Sequence, residues 1–467
     1  MRKEFREYNY DWMLWSAFET ASRIKGGTEK EYRRLLSYIP HFRGILESLM
    51  IHEEVSVAFI KMASSYLRNV ITAHERRKKL AATTFCFSPA IFYSMDIVPV
   101  TLEVMTAMGL FVWKRGTSEY LDYCCEVGFT ETSCSSQRGS LGAYLAGLGE
   151  KFDFIVCDTP GICDTNANAF SFAASYLDIP VYCLGYPPTL TDSRAEWYHR
   201  EDFKGLISFL ENQTGKTLDA ERLKDVLQEI GVQDEIISEI EDLQRLVPNP
   251  APVEYGFFLY TTKFLFAGTK ECTEFLKLML EKVRENAEKG ISGLKSGRER
   301  LRALFCYIDH YASDIQLWQM LDRQGVTSPA SILSTFWHSG ASIARGREDE
   351  AYGIDTNNID TMIDSIAALN SRMPMVKSIR GPYDSRGMWL DDTLGLAKLY
   401  SADCIIYSGT PGCRNTWGMV KMLARDTEKY GYPTHLMYSD AFDSRIESWE
   451  VTCARLEEFF KVRRLLK

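Results

Sequence analysis

The chain has 467 residues, of which 45% are hydrophobic and 25% are charged, and its formal net charge is −9. This composition is that of an ordinary globular protein, and the length predicts about two to four domains. The negative charge argues against a nucleic-acid-binding surface, which needs clustered Lys and Arg. Apolar runs fall far short of the roughly 20 residues of a membrane span, and Met1–Trp15 lacks the apolar core of a signal peptide, so we expect a cytoplasmic protein.

The first half of the chain predicts a helical region followed by an α/β domain. Residues 1–80 have apolar residues at helical spacing and few breakers. Residues 81–200 then alternate short apolar runs with helical patterns, which is typical of βαβ units in a parallel sheet. The predicted strands are Ala81–Ser88, Ile97–Val104, Phe152–Asp158 and Ile179–Tyr186, and the helices between them are Ser140–Leu148 and Asn168–Leu177.

The second half predicts a helical insert and a further α/β domain. In residues 201–299 the predicted helices are amphipathic and highly charged: Phe203–Gln213, Asp219–Glu229, Gln233–Leu246 and Cys272–Lys289. In residues 300–467 the predicted strands are Leu301–Tyr307, Ala330–Phe336, Cys404–Tyr407 and Thr434–Tyr438, and the helices are Ile359–Leu369, Thr416–Lys429 and Ser444–Leu466. The predicted fold class is therefore α/β, with two parallel-sheet domains of flavodoxin or Rossmann type, an N-terminal helical region and a helical insert.

Twelve cysteines are many for a chain in a reducing compartment, where disulfides are rare. Three of them lie beside the predicted strands: Cys134 begins a helix, and Cys163 and Cys413 lie in loops that follow strands. Ligands of α/β folds bind at such loops, and helix N-termini stabilise thiolates. Thiolates select iron–sulfur clusters, zinc or copper. From the residues alone a metal site, reactive thiols and plain packing stay open, and Cys157, which lies within a strand, competes with Cys163.

Three segments resemble the 2-hydroxyacyl-CoA dehydratase / benzoyl-CoA reductase family. They are SCSSQRGSLGAYLAGL at 133–148, VCDTPGICDTNANAF at 156–170 and the block at 404–449, in which a cysteine is followed by a helix, a strand and an acidic loop. The stretch at 249–283 is similar to a linker in the family's larger subunits. The likeness covers most of residues 80–467 and depends on the order and spacing of the motifs.

This resemblance implies a 4Fe-4S cluster held by Cys134, Cys163 and Cys413, with one iron left open, in an oxygen-sensitive enzyme. It implies a subunit of a lyase that removes water from an (R)-2-hydroxyacyl-CoA through a ketyl radical after one-electron reduction. The alternatives are a benzoyl-CoA reductase-type oxidoreductase subunit and a non-catalytic, cluster-bearing partner. The implied partners are a homologous second subunit, an ATP-dependent activator that delivers electrons, and the acyl-CoA substrate.

Ser88 is the remaining candidate for a catalytic side chain. Family members often carry a glutamate shortly after the proline of the first strand, but here Ala90 and Ile91 follow Pro89. Ser88 is placed to face the hydroxyl or carbonyl oxygen of the substrate, and the alternative is a turn residue before proline.

Two further groups of polar residues follow predicted strands. His310 and His338 are candidates to reach the active site, with a satisfied interior or rim histidine as the alternative. Asp440, Asp443 and Arg445 are predicted to form a structural ion pair near the site.

Overall fold

The computed structural model describes residues 9–23, 53–112, 118–159, 162–187, 189, 192–307, 315–332, 351–373, 388–409, 412–413, 417–418, 420–440 and 442–466. These residues contain two four-stranded sheets in which all strands are parallel, so the predicted fold class is confirmed. The strands are β1 (Leu80–Thr83), β2 (Val98–Thr101), β3 (Phe154–Asp158), β4 (Val181–Leu184), β5 (Leu301–Tyr307), β6 (Val326–Thr327), β7 (Cys404–Ser408) and β8 (Thr434–Met437).

Helices precede, connect and cover the two sheets. Those before and around the first sheet are α1 (Tyr10–Ser22), α2 (Glu53–Ile71), α3 (Ala90–Ser94), α4 (Leu102–Val112), α5 (Ser118–Glu126), α6 (Ser135–Leu145) and α7 (Asp164–Leu177). The insert contains α8 (Ser193–Thr214), α9 (Ala220–Leu243), α10 (Tyr255–Thr261), a π-helical turn (Thr262–Phe266) and α11 (Lys270–Lys289). The second sheet is accompanied by α12 (Ile315–Gln324), α13 (Ile359–Ser371), α14 (Met388–Leu399), α15 (Val420–Lys429) and α16 (Trp449–Val462).

Both sheets have the same topology. Their strand orders are β2-β1-β3-β4 and β6-β5-β7-β8, so in each sheet the first strand lies between the second and the third. This order matches the start of a flavodoxin-like sheet, in which the chain reverses direction between the first and third strands. The loops after β1 and β3, and those after β5 and β7, therefore surround the crevices where such folds bind ligands.

One large hydrophobic core extends through both sheets and reaches the N-terminal helix α1, which contributes Tyr10, Leu14 and Phe18. A smaller core lies on the other face of the first sheet and is covered by α8, α9 and α13. Since α13 comes from the second half of the chain, the two halves pack against each other through apolar side chains as well as loops.

Five predicted elements differ from the structure. The strands predicted to end at Ser88 and Val104 end at Thr83 and Thr101, and Leu102 already begins α4. The two helices predicted for 219–229 and 233–246 are the single helix α9. Gly231, which lies between the two predicted helices, is inside α9. Instead of a strand at 330–336, the edge strand is Val326–Thr327 and only a single bridge joins Phe305 to Ser331; residues 333–336 lie outside the described part.

Within the described ranges, no helix has the length and apolar character needed to cross a membrane.

Candidate functional site

Each of the three candidate cysteines lies where a helical turn begins. The carbonyl oxygens of Cys134, Cys163 and Cys413 accept hydrogen bonds from the N–H groups four residues later, at 3.4, 3.2 and 3.1 Å. Cys134 and Cys163 are the N-cap residues of α6 and α7. The first turn of a helix leaves N–H groups without helical partners and carries a partial positive charge, so it is a favourable position for a negatively charged bound group.

Loops of the second half of the chain close over the start of α6. A Cβ atom added to Gly412 would lie 2.8 Å from the nitrogen and 2.9 Å from the Cα of Cys134, so only glycine permits this approach. Asp440, which follows β8, accepts a hydrogen bond from the hydroxyl of Ser135. The peptide neighbouring Cys413 is thus held directly against Cys134.

Burial and neighbouring negative charge oppose the ionisation of the Cys134 and Cys163 thiols. Burial raises the pKa of the Cys134 thiol to about 12, and negative charge on Asp440 and Cys413 raises it further. Burial also raises the pKa of Cys163 well above its ordinary value, followed by negative charge on Asp158, Cys413 and Cys134. Such a group of thiols ionises together only when a cationic centre compensates the charge.

Among the described residues, no group of three or more His, Cys, Asp and Glu side chains is arranged to hold a metal ion. A single ion requires ligands that converge on one point, whereas each cysteine of a multi-iron cluster bonds a different iron. Cysteine thiolates are the soft donors that iron–sulfur clusters use, so Cys134, Cys163 and Cys413 are the candidates to hold such a group.

A chain of buried polar side chains extends from Cys134 into the first sheet. The sulfur of Cys134 lies 3.0 Å from the hydroxyl oxygen of Ser136, which donates to Oε1 of Gln137 at 2.9 Å. The amide of Gln137 donates to Oδ1 of Asn166 and, at 3.3 Å, to Oε1 of Glu103. These bonds fix the first turn of α6 relative to α4 and α7.

The chain continues to Asp158 at the end of β3. Its Oδ1 accepts hydrogen bonds from Nδ2 of Asn166 at 3.1 Å and from the hydroxyl of Thr84 at 3.2 Å. Nδ2 of Asn166 also lies 3.6 Å from the sulfur of Cys86. The loop after β1 and the first turn after β3 are therefore joined beneath the thiols.

Two carboxyl groups in this network have strongly raised pKa values. Burial raises the pKa of Glu103 to about 8, and negative charge on Asp158 contributes. Burial likewise raises the pKa of Asp158 to about 7, against the lowering effect of its hydrogen bonds. Oε2 of Glu103 and Oδ2 of Asp158 are buried and have no hydrogen-bond partner among the described residues. Each acid can therefore carry a proton at neutral pH.

Ser88 is buried and shapes a turn. Its N–H donates to Oδ1 of Asn370 at 3.0 Å, and its hydroxyl oxygen accepts from the N–H of Ala90 at 3.4 Å, where α3 begins. Its catalytic role stays a prediction, as does the ligand role of the three cysteines. Cys157, the competitor of Cys163, is buried in β3 with its sulfur beside that of Cys183.

The predicted ion pair near the site is confirmed. Nε of Arg445 lies 2.7 Å from Oδ1 of Asp443, and Nη1 of Arg445 also reaches Asp122 of α5 at 2.8 Å. His310 and His338 lie outside the described residues.

Sequence reasoning missed both acids. Glu103 lies inside the predicted strand Ile97–Val104 but belongs to the first turn of α4 in the structure. Asp158 is the last residue of the predicted strand Phe152–Asp158 and had no predicted role. A polar side chain directly after an apolar strand is the available signal, since the carboxyl ends of parallel strands meet at one edge of the sheet.

A family model described as "2-hydroxyglutaryl-CoA dehydratase, D-component" matches residues 84–462. The chain is also 23% identical over 297 residues to the (R)-2-hydroxyisocaproyl-CoA dehydratase alpha subunit of Clostridioides difficile, an alignment that covers 61% of this chain and 71% of that protein. The family match runs from the residue after β1 to the end of α16, so it includes all three cysteines.

Proposed function

The chain belongs to the 2-hydroxyglutaryl-CoA dehydratase D-component family, and we propose that it is a subunit of a lyase that removes water from an (R)-2-hydroxyacyl-CoA. The observation that carries this proposal is the family match, and it is supported by Cys134 and Cys163 at the N-caps of α6 and α7 and by Gly412, the neighbour of Cys413, packed against Cys134. Two of these cysteines come from the first α/β unit and one from the second, and they surround the crevices where such sheets bind ligands.

The proposed cofactor is a 4Fe-4S cluster, which Cys134, Cys163 and Cys413 would hold. When bound, it supplies single electrons and an iron that acts as a Lewis acid toward an oxygen of the substrate. Ser136 supports this role, because its side chain and its backbone N–H both lower the pKa of Cys134 against the effect of burial. Such hydrogen bonds to ligand sulfurs orient the ligand and stabilise its charge.

Dehydration also requires proton movement, and the buried acids suit it. Removing water from a 2-hydroxyacyl group takes a proton from carbon and gives one to the departing hydroxyl, which calls for groups that titrate near neutral pH. The pKa values of Asp158 and Glu103, about 7 and about 8, meet this requirement. We assign them to hold protons at Oδ2 and Oε2, with Asn166 and Gln137 fixing the orientation of their other oxygens.

The proposed partners are a homologous second subunit and an ATP-dependent activator that delivers the electron. The Clostridioides difficile relative is named as one subunit of its enzyme. In this chain, Tyr438 and Ile446 are 52% and 51% exposed in the segment that also contains Asp440. These two side chains are therefore candidates for contact with the second subunit.

Iron and sulfide content tests the cofactor. Protein purified under strict anaerobiosis should contain both, and replacement of Cys134, Cys163 or Cys413 by Ser should remove most of the iron. Cys453→Ser is the matched control, because this half-buried thiol lies on α16. Iron-free protein under anaerobic conditions, or equal iron loss in the control, would contradict the cluster.

The reaction is tested by counting ATP. With activator and second subunit present, a dehydratase recycles its electron and should spend far less than one ATP per 2-enoyl-CoA formed. A ring reductase must spend ATP in every turnover. Offering a 2-hydroxyacyl-CoA and an aromatic CoA thioester to the same preparation compares the two. Stoichiometric ATP use with the aromatic thioester would overturn the proposed reaction.

A further inference from the structure

Two thiols outside the three-cysteine site lie side by side on adjacent strands of the first sheet. Cys157 in β3 and Cys183 in β4 are direct partners in the parallel register, and their sulfur atoms are 3.4 Å apart. Side chains of paired residues lie on the same face of a sheet, so this approach follows from the register itself.

The two thiols differ in accessibility. Cys157 is completely buried, whereas Cys183 is exposed on β4, the edge strand of its sheet. An oxidant in solution therefore meets Cys183 first, and Cys157 is the neighbour within reach of the modified sulfur.

The contact also activates the exposed thiol. The hydrogen bond between the two sulfurs lowers the pKa of Cys183, and the same bond together with burial raises the pKa of Cys157. Cys183 is thus the thiol of the pair that ionises more readily, and the thiolate is the form that reacts with peroxides.

We propose that Cys157 and Cys183 form an oxidation site that a peroxide closes to a disulfide bond. Adjacent strands are about 4.8 Å apart, which lies within the range of Cα separations that disulfides span. From 3.4 Å, the two sulfurs need to approach by about 1.4 Å to bond. The inference depends on strand register and exposure and does not require the proposed reaction or the cluster.

The chemistry balances in two steps. The Cys183 thiolate attacks one oxygen of the peroxide, an S–O bond forms, the O–O bond breaks and hydroxide leaves, so the sulfur is oxidised to a sulfenic acid. The sulfur of Cys157 then displaces the OH group, the S–S bond forms, and the thiol proton leaves with that OH as water. In total, two thiols lose two electrons and two protons, and hydrogen peroxide becomes two waters.

The experiment maps this bond in the full chain. Anaerobically purified protein is treated with equimolar hydrogen peroxide, and free thiols are blocked with N-ethylmaleimide. Digestion before aspartate separates Cys157, Cys163 and Cys183, because Asp153, Asp158, Asp164 and Asp178 lie around them. The expected product is the peptide ending at Cys157 linked to the peptide beginning at Asp178, two hydrogen masses lighter than the separate peptides and released by dithiothreitol.

Two variants and a control test the order of events. In Cys157→Ser, dimedone should trap a sulfenic acid at Cys183 and the cross-link should vanish. In Cys183→Ser, the buried Cys157 should stay unmodified at the same peroxide dose. Cys272→Ser, which removes a buried thiol of α11, should leave the cross-link unchanged. Oxidation of Cys183 in the wild-type chain without the Cys157–Cys183 link, or equal oxidation of Cys157 in Cys183→Ser, would overturn the proposal.

Discussion

The buried carboxyl of Glu103 should couple the stability of the protein to pH. Burial raises its pKa from 4.5 to about 8. Unfolding exposes the side chain and restores the ordinary value, so between these two pH values the folded chain retains a proton that the unfolded chain loses. The free energy of unfolding should therefore fall as the pH rises from about 4.5 to about 8, and the full contribution is present below this range.

Glu103→Gln should remove this dependence. Each pH unit within the window changes the free energy of unfolding by about 1.4 kcal/mol, so the wild-type chain loses about 3 kcal/mol between pH 4.5 and pH 7 that the variant retains. The glutamine oxygen can still accept the hydrogen bond that Gln137 donates to Oε1. Urea unfolding followed by fluorescence at several pH values measures the difference between the two chains.

Glu254→Gln is the matched control. Glu254 is also buried, burial also raises its pKa to about 8, and it lies at the start of α10, outside the network of the three thiols. Both variants should gain stability relative to wild type as the pH rises, but only Glu103→Gln should lower the dehydration rate, by about 10²- to 10⁴-fold. Wild-type and Glu103→Gln stability curves that stay parallel across the window would refute the reasoning.

Two further predictions concern packing. Gly412→Ala places a methyl group 2.8 Å from the backbone of Cys134, so it should lower the free energy of unfolding by about 1–3 kcal/mol and reduce bound iron. Gly395→Ala places its methyl group in open space within a helix, so it should be neutral or stabilising. Iron assays and urea midpoints compare the two variants, and equal iron content would contradict the prediction for Gly412→Ala. Arg302→Lys removes buried hydrogen bonds to the carbonyls of Tyr400 and Gln244 and should cost about 1–3 kcal/mol. Arg284→Lys alters an exposed pair with Glu239 and should cost less than about 1 kcal/mol, so similar thermal midpoints for the two variants would contradict this difference.

The alternation of apolar runs and helices predicted the two parallel sheets, because buried parallel strands form short continuous apolar segments. The sequence patterns did not predict where these strands end. The run Ile97–Val104 is apolar throughout most of its length, yet the strand stops at Thr101 and the helix starts at Leu102. Hydrophobicity alone does not distinguish a strand from the buried first turn of the helix that follows.

The site was predicted only in part for the same reason. Cys134, Cys163 and Cys413 were recognisable from their loop positions and from the resemblance; the structure packs Gly412, the neighbour of Cys413, against Cys134, and the ligand role of the three cysteines stays a prediction. Glu103 and Asp158 belong to the same region through contacts with Asn166 and Gln137, which lie on two different helices. Pairing of this kind depends on how helices pack on a sheet, and single-sequence patterns carry no information about it.

The three candidate cysteines come from two different units of the chain, and this affects how the site would bind iron. Cys134 and Cys163 belong to the first sheet's helices and Cys413 follows β7 of the second, so a site made from all three requires the two units to be packed together. Burial and then neighbouring negative charge raise the pKa of the Cys134 and Cys163 thiols, so the protonated form of these two is the stable one without a metal. Binding of a cationic centre must therefore expel protons from a site that folding has already assembled. The affinity of this site for iron should rise with pH, and the apo-protein should keep its fold because protonated thiols carry no charge.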